Sequence, residues 1–333
     1  MSGIGRRGFI AGTAGLAFAG GARLFQPSAA RAQGAGETYP NRPVRFIVPL
    51  AAGGGLDFIA RLTADHLSRH MGQQFFVENR TGGGGTIGHD AAVKSAPDGY
   101  SVLVTNDNVA SSPHILRLNV DFVKDLVPVI LLARQPQALA VHPSLNVSSV
   151  AELIEAVKKE PGMGYASSGV GSNQHVLGES FVQLAGIKME HVPYRGAGQA
   201  INDLIAGHIR IAFLGPTALL PNHAAGKVRI IAQSAPKRSS TLADIPTLVE
   251  AGFPSLNLDS WYAVFVPVGT PPAIVARLNA EMDKAMADPT ARDTLVKSAT
   301  EPHGGPPEQA AAVVKEYAEK YAQLAKELNL KIN

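Results

Sequence analysis

Along the chain, short β-branched apolar runs alternate with stretches whose apolar residues recur every three or four positions, the pattern of an α/β protein. Residues 44–49 read as a first strand. Residues 58–70 follow as an amphipathic helix, with Ile59, Leu62 and Leu67 on its apolar face. Residues 75–78 and 102–105 are the next strands, with a short helix over 88–95 between them, and 139–141 is another strand. The helix expected over 150–159 is capped by Ser148 or Ser149 and carries Glu152 in its first turn, where a carboxylate meets the positive end of the helix dipole. Residues 164–167 lead into a Ser/Gly loop and a helix through Leu184, and 209–213 and 228–232 are strands of the same second group. After the apolar run 261–266 the tail over 273–331 is mostly helical, broken at Pro289 and across 303–307. Two strand-and-helix groups imply two lobes with crossovers near Leu139 and Asp259. Residues 36–139 with 259–333 then form a discontinuous lobe I, and 140–258 form lobe II. No fixed-period repeat is present, but both lobes share one theme: a strand, a loop of small residues, then a helix N-terminus.

Composition sharpens this picture at two points. With 333 residues, 45% hydrophobic and only 17% charged, the chain builds a sizeable core, which excludes global disorder. It has no cysteine, which excludes disulfides, thiolate metal sites and cysteine nucleophiles. The formal charge of +3 suggests anionic partners until it is located. Arg6, Arg7, Arg23 and Arg31 are the only charged residues among the first 32; the remainder carries 26 basic and 27 acidic groups, a net of −1. The mature body therefore offers no basic run for nucleic acid. The leader itself reads as an export signal over residues 1–32. It has a positive start at Arg6-Arg7, an Ala/Gly-rich apolar run over 9–22 too short to span a bilayer, and Ala30-Arg31-Ala32 placing cleavage before Gln33. Arg6-Arg7-Gly8-Phe9-Ile10 is similar to a twin-arginine signal without the Ser before the pair or the Lys after it. An exported, periplasmic, soluble protein is expected.

Three loops carry the visible chemistry. In the first, Gly53, Gly54, Gly55, Leu56 and Asp57 lie between the first strand and its helix. Adjacent glycines let a ligand approach the backbone, and a helix N-terminus supplies unpaired N–H groups for a carboxylate or phosphate. Asp57 has two readings: a helix-terminal carboxylate paired with Arg61 at i,i+4, or a group that rejects extra negative charge or accepts an amine. The second loop holds Ser167, Ser168, Gly171, Ser172 and Asn173, followed by His175, more donors than capping alone requires. The third contains Gly83, Gly85 and Gly88, which satisfy G-x-G-x-x-G, with Asp107 about 20 residues further on as a dinucleotide fingerprint asks. Four adjacent glycines produce that match easily, and Arg80 and Thr81 separate them from the strand. No cofactor is assigned on this basis. His66 and His70 have metal-ligand spacing on one helix face, but no third ligand is evident and no metal is assigned. No hydrolase elbow, zinc-protease or P-loop motif occurs, so no catalytic residue is assigned.

The ordered set of motifs resembles the Bug-type periplasmic solute-binding proteins, the extracytoplasmic receptors of tripartite tricarboxylate transporters. The set comprises Tyr39-Pro40-Asn41-Arg42-Pro43, Gly53-Gly54-Gly55-Leu56-Asp57, Val77-Glu78-Asn79-Arg80, Pro97-Asp98-Gly99-Tyr100, Tyr165-Ala166-Ser167-Ser168-Gly169, Val192-Pro193-Tyr194-Arg195-Gly196 and Ile245-Pro246-Thr247. Ala52 departs from the Pro common in the first loop, Leu56 from a small polar residue, and Arg195 from Lys. The resemblance implies a two-lobed periplasmic-binding-protein fold of Venus-flytrap type, each lobe a sheet flanked by helices, joined by crossing strands. It further implies a monomer that closes on a small carboxylate and delivers it to membrane permease subunits. Gly53 to Asp57, Ser167, Ser168, Gly171, Ser172, Asn173, His175 and Tyr194 are the expected ligand residues. Competing readings are an exported enzyme, a nucleotide-binding Rossmann-like protein, and a ligand sensor for a signalling partner.

Overall fold

The computed structural model describes residues 39–116 and 121–327; the expected export signal over 1–32 and its cleavage point before Gln33 lie outside the described residues. The chain begins with β1 (Val44–Val48), α1 (Gly55–Met71), β2 (Phe75–Asn79), α2 (Thr86–Val93), β3 (Ser101–Asn106), α3 (Asn108–Ile115), the short α4 (Phe122–Asp125) and β4 (Leu126–Gln135). It then passes through β5 (Ala138–Val141), α5 (Val150–Lys159), β6 (Met163–Ser167), α6 (Asn173–Ala185), β7 (Met189–Pro193), α7 (Ala197–Ala206), β8 (Ile211–Leu214), α8 (Pro216–Ala224) and β9 (Arg229–Gln233). It ends with β10 (Ser260–Pro267), α9 (Pro272–Ala287), α10 (Pro289–Lys297), β11 (Glu301–Pro302) and α11 (Pro307–Glu327). Among the described residues no helix is long and apolar enough to cross a membrane.

The strands form two sheets, ordered β2-β1-β3-β10-β4-β11 and β7-β6-β8-β5-β9. In the first, β1, β2 and β3 run parallel and β10 lies antiparallel between β3 and β4. In the second, β7, β6 and β8 run parallel and β5 lies antiparallel between β8 and β9. Both sheets thus place their second strand at one edge, then the first and third, then an antiparallel strand entering from the other sheet. The small-residue theme seen in both halves of the sequence is the local trace of this shared topology. The chain leaves the first sheet between Gln135 and Ala138 and returns between Gln233 and Ser260.

Elements whose signals conflict escape the hydrophobic pattern. β4 is a ten-residue strand buried along most of its length, so it lacks alternation and also carries Pro128. β7 is an edge strand with few buried side chains, and α8 has Pro221 inside it. Helix α5 begins at Ser149, whose hydroxyl accepts from Glu152 N, while the Glu152 carboxylate accepts from Ser148 N at 2.6 Å. α1 packs Ile59, Ala60 and Leu67 onto one face of the first sheet with Leu278 and Met282 of α9. α7 and α8 cover one face of the second sheet through Leu204 and Leu219. A third cluster runs through both lobes, from Phe181 and Phe213 to Trp261, Tyr317 and Tyr321.

One buried carboxyl group ties these parts together. Asp107, following β3, accepts from Ser260 of β10, from Tyr321 of α11 and, at 2.5 Å, from Asn173 Nδ2 of lobe II. Asn173 Nδ2 also donates to Asp259 O at 3.1 Å, on the returning crossover. Burial raises the Asp107 carboxyl to about 6, and the three donors only partly oppose that rise. A carboxyl whose folded pKa lies above its unfolded value favours folding when protonated. That contribution is fully present below about pH 4 and is lost as pH rises through about 6. Asp107→Asn fixes the neutral form. We predict that wild type gains about 1 kcal/mol relative to Asp107→Asn between about pH 7 and pH 5. Paired denaturant titrations check this, and a pH-independent difference would show that Asp107 does not titrate as described.

Candidate functional site

In open α/β sheets, ligands collect beyond the carboxyl ends of the parallel strands, where the connections diverge to opposite faces. Here those ends face each other across the two lobes. The turn after β1 leads into α1, that after β7 into α7, and that after β8 into α8. Each helix starts after a glycine, Gly54, Gly196 and Gly215, and none of the three has a side-chain cap. Each therefore presents unpaired N–H groups and a positive dipole end. Gly54, Gly55 and Leu56, together with Ala197 and Gly215, line one cavity of about 20 Å³. Leu50, Ala51, Asn106, Gln137, Ser168, Gln174, Ser260 and Tyr262 complete its wall, and no charged side chain contributes.

Two polar atoms at this wall, Ser168 Oγ and Asn106 Oδ1, are buried and have no hydrogen-bond partner. An unpaired buried polar group is costly, and such groups concentrate where a ligand supplies the missing bond. The rest of the wall is held rigid. Gln174 Oε1 accepts from Ser168 N at 2.8 Å while its Nε2 donates to Gln137 Oε1 at 2.7 Å. Tyr262 OH donates to Gln135 Oε1 at 2.5 Å, and Gln135 Nε2 donates to Thr217 Oγ1 of α8 at 2.5 Å and to Thr300 Oγ1 at 2.9 Å.

Of the ligand residues expected from the sequence, Gly54, Gly55, Leu56 and Ser168 lie at this cavity. Gly53 donates its N–H to Asp57 Oδ2 at 3.2 Å. Asp57 is buried and also accepts from Arg61 and from Asn79. Burial by itself would raise the Asp57 carboxyl; the bonds from Arg61, Asn79 and Gly53 outweigh it and hold the group below the usual carboxylate range. Ser167 Oγ is bonded to His191 Nε2 at 2.6 Å and accepts from Gly169 N. Ser172 caps α6 by accepting from His175 N, and Asn173 reaches Asp107. Gly171 O accepts from Ser111 of lobe I at 2.6 Å. His175 accepts from Gly171 N and stacks on His191 with ring centroids 3.9 Å apart; burial lowers its pKa to about 4. Tyr194 OH donates to Asp203 at 2.7 Å. Near α1, the His66 and His70 rings stack 4.1 Å apart. Among the described residues no group of three His, Cys, Asp or Glu side chains is placed to hold a metal.

Beside the cavity, and sharing Leu50 and Ser168 with it, lies a wider chamber of about 460 Å³ bounded by residues 81–85, Ile87, Gly169, Val170, Pro193, Tyr194 and Arg195. Its floor explains the glycine run. A Cβ at Gly84 would overlap Val170 O of lobe II, and one at Gly88 would come within 2.7 Å of Pro49 Cα. Gly84 and Gly88 thus bring protein backbone against protein backbone, whereas a Cβ at Gly83 or Gly85, the other glycines of the dinucleotide spacing, would meet the side chains of Thr86, His89 and Pro49. A Cβ at Gly198, on α7, would likewise overlap Ala52 O of lobe I, and Ala51 N donates to Arg195 O at 3.0 Å across the same seam.

The polar and glycine-flanked wall residues that the sequence reading does not single out are Asn106, Gln137, Gln174, Ala197, Gly215, Ser260 and Tyr262. Two had a usable signal. Gly196-Ala197-Gly198 and Gly215-Pro216 repeat the arrangement of strand, glycine and helix start already noted at Gly53 to Leu56. The others are single polar residues at the end of β3, in the crossing segment, in the first turn of α6 and in the first part of β10, and only the topology brings them together.

Two lobes that meet over uncapped helix starts, joined by two chain crossings, define a solute-binding protein of the hinged, two-lobed class. The family model for the tripartite tricarboxylate transporter family receptor matches residues 59–330, and the chain belongs to that family. Protein BugT of Bordetella pertussis is 32% identical over 303 residues, covering 89% of this chain and 92% of BugT. Solved structures that share the fold include three relatives. Periplasmic binding protein BugD has a TM-score of 0.85 at 30% identity, covering 88% of this chain and all of BugD. R. palustris Rpa4515 with adipate has a TM-score of 0.85 at 32% identity, covering 88% of this chain and all of that one. MatC from Rhodopseudomonas palustris with bound malate has 0.82 at 28% identity, covering 86% and 99%. The fold is accordingly the two-lobed fold of periplasmic binding proteins, and the family is one of receptors, not enzymes.

The backbone approach at Gly198 yields a direct test. Alanine in a helix is no less stable than glycine, so any fall in the unfolding midpoint of Gly198→Ala comes from the seam and not from α7 itself. The added methyl prevents the seam at Ala52 from closing, so small-angle scattering should give a larger radius of gyration than wild type. Identical scattering curves would show that the seam tolerates the methyl.

Proposed function

We propose that this receptor works in the periplasm as a monomer, captures a small carboxylate between its lobes and hands the closed complex to the membrane permease subunits of a tripartite tricarboxylate transporter. Export by a signal over residues 1–32, similar to a twin-arginine signal and cleaved before Gln33, is part of the same reading, by the twin-arginine or the general secretory route. The observation that carries it is the convergence of three uncapped helix starts, at Gly54, Gly196 and Gly215, on a cavity where Ser168 Oγ has no partner. N–H groups with a positive dipole end favour an oxyanion, and an uncharged wall leaves those neutral donors as the source of attraction. The adipate and malate bound by two structural relatives belong to this chemical class.

In this reading one carboxylate group sits against Gly54 to Leu56 of lobe I and Ser168 and Ala197 of lobe II. The cavity has room for about one water molecule, so the group enters with the lobes apart and is enclosed as they close. A ligand bonded to both lobes binds the closed form better than the open one, and that difference is what shifts the equilibrium. Ser167, Ser172, Asn173 and His175 support this site by shaping the loop and holding α6. Asp57 fixes the turn before α1 through Gly53, and Tyr194 lies on the wall of the outer chamber.

Calorimetric titration of the mature protein with malate and adipate tests the assignment. Ser168→Ala should weaken binding about fivefold, the equivalent of about 1 kcal/mol for one hydrogen bond, without lowering the melting temperature of the free protein. Ligand at 100 times Kd should raise the stability of wild type by about 2.7 kcal/mol. Unchanged affinity in Ser168→Ala would remove Ser168 from the site, and binding of neither acid nor any related carboxylate would overturn the function.

A further inference from the structure

Helices α1, α6 and α7 each end on a glycine in the left-handed region, Gly72, Gly186 and Gly207, at φ of 70°, 62° and 75°. A side chain at such a position crowds the backbone, which is why glycine is the ordinary choice. α10 ends with the same pair of bonds, Ala299 N donating to Val296 O and Thr300 N to Leu295 O, but its left-handed residue is Ala299, at φ 55°. Among the described residues the only other non-glycine at positive φ is Asn146, a residue type that tolerates it. Ala299 therefore carries a strain that glycine would remove, and its methyl group is where the compensation lies.

That methyl is buried, 4% exposed, in the apolar cluster of lobe II. Every other buried residue of the cluster lies between Ala138 and Leu242; Ala299 alone comes from lobe I. Around it, lobe II also satisfies the last carbonyls of α10. Thr241 Oγ1 donates to Val296 O at 2.6 Å, and Thr217 Oγ1, on α8, donates to Ser298 O at 3.4 Å. Gln135 Nε2, at the end of β4, donates to the same Ser298 O at 3.3 Å as well as to Thr217 and Thr300. Its Oε1 accepts from Tyr262 OH, at the wall of the inner cavity.

We infer that the end of α10 is a latch: its last carbonyls and the Ala299 methyl engage lobe II as the lobes close and leave it as they open. Contacts away from the ligand thereby favour the closed form. This rests on the reading that the lobes close around a ligand. At the cavity, helix N–H groups are left for the ligand; here, at the opposite pole of a helix, carbonyls are left for the facing lobe. Glycine at 299 would relax the turn but withdraw the one methyl by which lobe I enters that cluster. Gln135 joins the two places, since the amide that holds Thr217 and Thr300 also accepts from Tyr262. A contact that favours the closed form raises the fraction of protein competent to hold ligand, and with it the apparent affinity.

The chain has no cysteine, so a single introduced thiol reports local opening. Ala299→Cys places one in the latch, and Ala212→Cys places one inside β8, buried in the same cluster. With a thiol reagent under native conditions, the thiol at 299 should react about tenfold or more faster than that at 212, and saturating malate or adipate should slow it. Calorimetric titration of Ala299→Gly and Thr241→Val with the same acids should show affinity weakened about three- to fivefold in each, as one methyl contact or one hydrogen bond is lost. Equal labelling rates at 299 and 212 would show that Ala299 leaves the cluster only on global unfolding, and would overturn the latch. Unchanged affinity in both variants would overturn it as well. If neither acid nor a related carboxylate binds wild type, the receptor reading fails, and the labelling rates alone decide the latch.

Discussion

The first N–H groups of an α-helix have no partner within the helix, and something else must satisfy them. At α6 the protein does so internally, with the hydroxyl of Ser172, and at α5 with that of Ser149. At α1, α7 and α8 it does not: a glycine stands at each cap position and the donors remain directed into the space between the lobes. The starts of α2, α3 and α9 also lack a side-chain cap; it is the convergence of those of α1, α7 and α8 between the lobes that sets the location of the site, its preference for anions and its dependence on two lobes. No single lobe brings the starts of α1 and α7 together. The network from Asp107 to Ser260, Tyr321 and Asn173 then holds the junction at which the lobes meet.

Recognition through N–H groups has a steric requirement. Backbone donors are short, so the two lobes approach to backbone distance, and side chains in the seam would hold them apart. Gly84 against Val170 and Gly198 against Ala52 are the places where this requirement is most severe. The seam is therefore made of glycine and small residues not because the loops need flexibility but because they need thinness.

Much of this was legible in the sequence because strands β1, β3 and β6 and helix α5 carry undisturbed periodicity and recognisable ends. Gly53 to Leu56 and the Ser167 to Asn173 segment stood out because a strand, small residues and a helix start follow one another directly. What could not be read is which donors in those segments remain free. Ser167, Ser168, Ser172 and Asn173 look alike as a string of donors, yet Ser167 is occupied by His191, Ser172 by the start of α6 and Asn173 by Asp107, which leaves Ser168 Oγ. That distinction depends on partners 24 to 86 residues away, such as His191, Asp107 and Asp259. Tyr262 and Ser260 were hidden for a similar reason: within a strand buried along its whole length, nothing local marks the residues at the site end.

The position of β10 has a consequence for the order in which the protein comes into being. This strand is the partner of both β3 and β4 in the middle of the first sheet, yet it is made only after the whole of the second sheet has emerged. During synthesis the second lobe has all five of its strands in hand while the first still exposes two apolar edges where β10 belongs. Such edges invite pairing with other chains until they are covered. The late strand is thus the closing piece of the early lobe, and the nascent chain needs protection across that interval, up to the point where Trp261 and its neighbours slide into place.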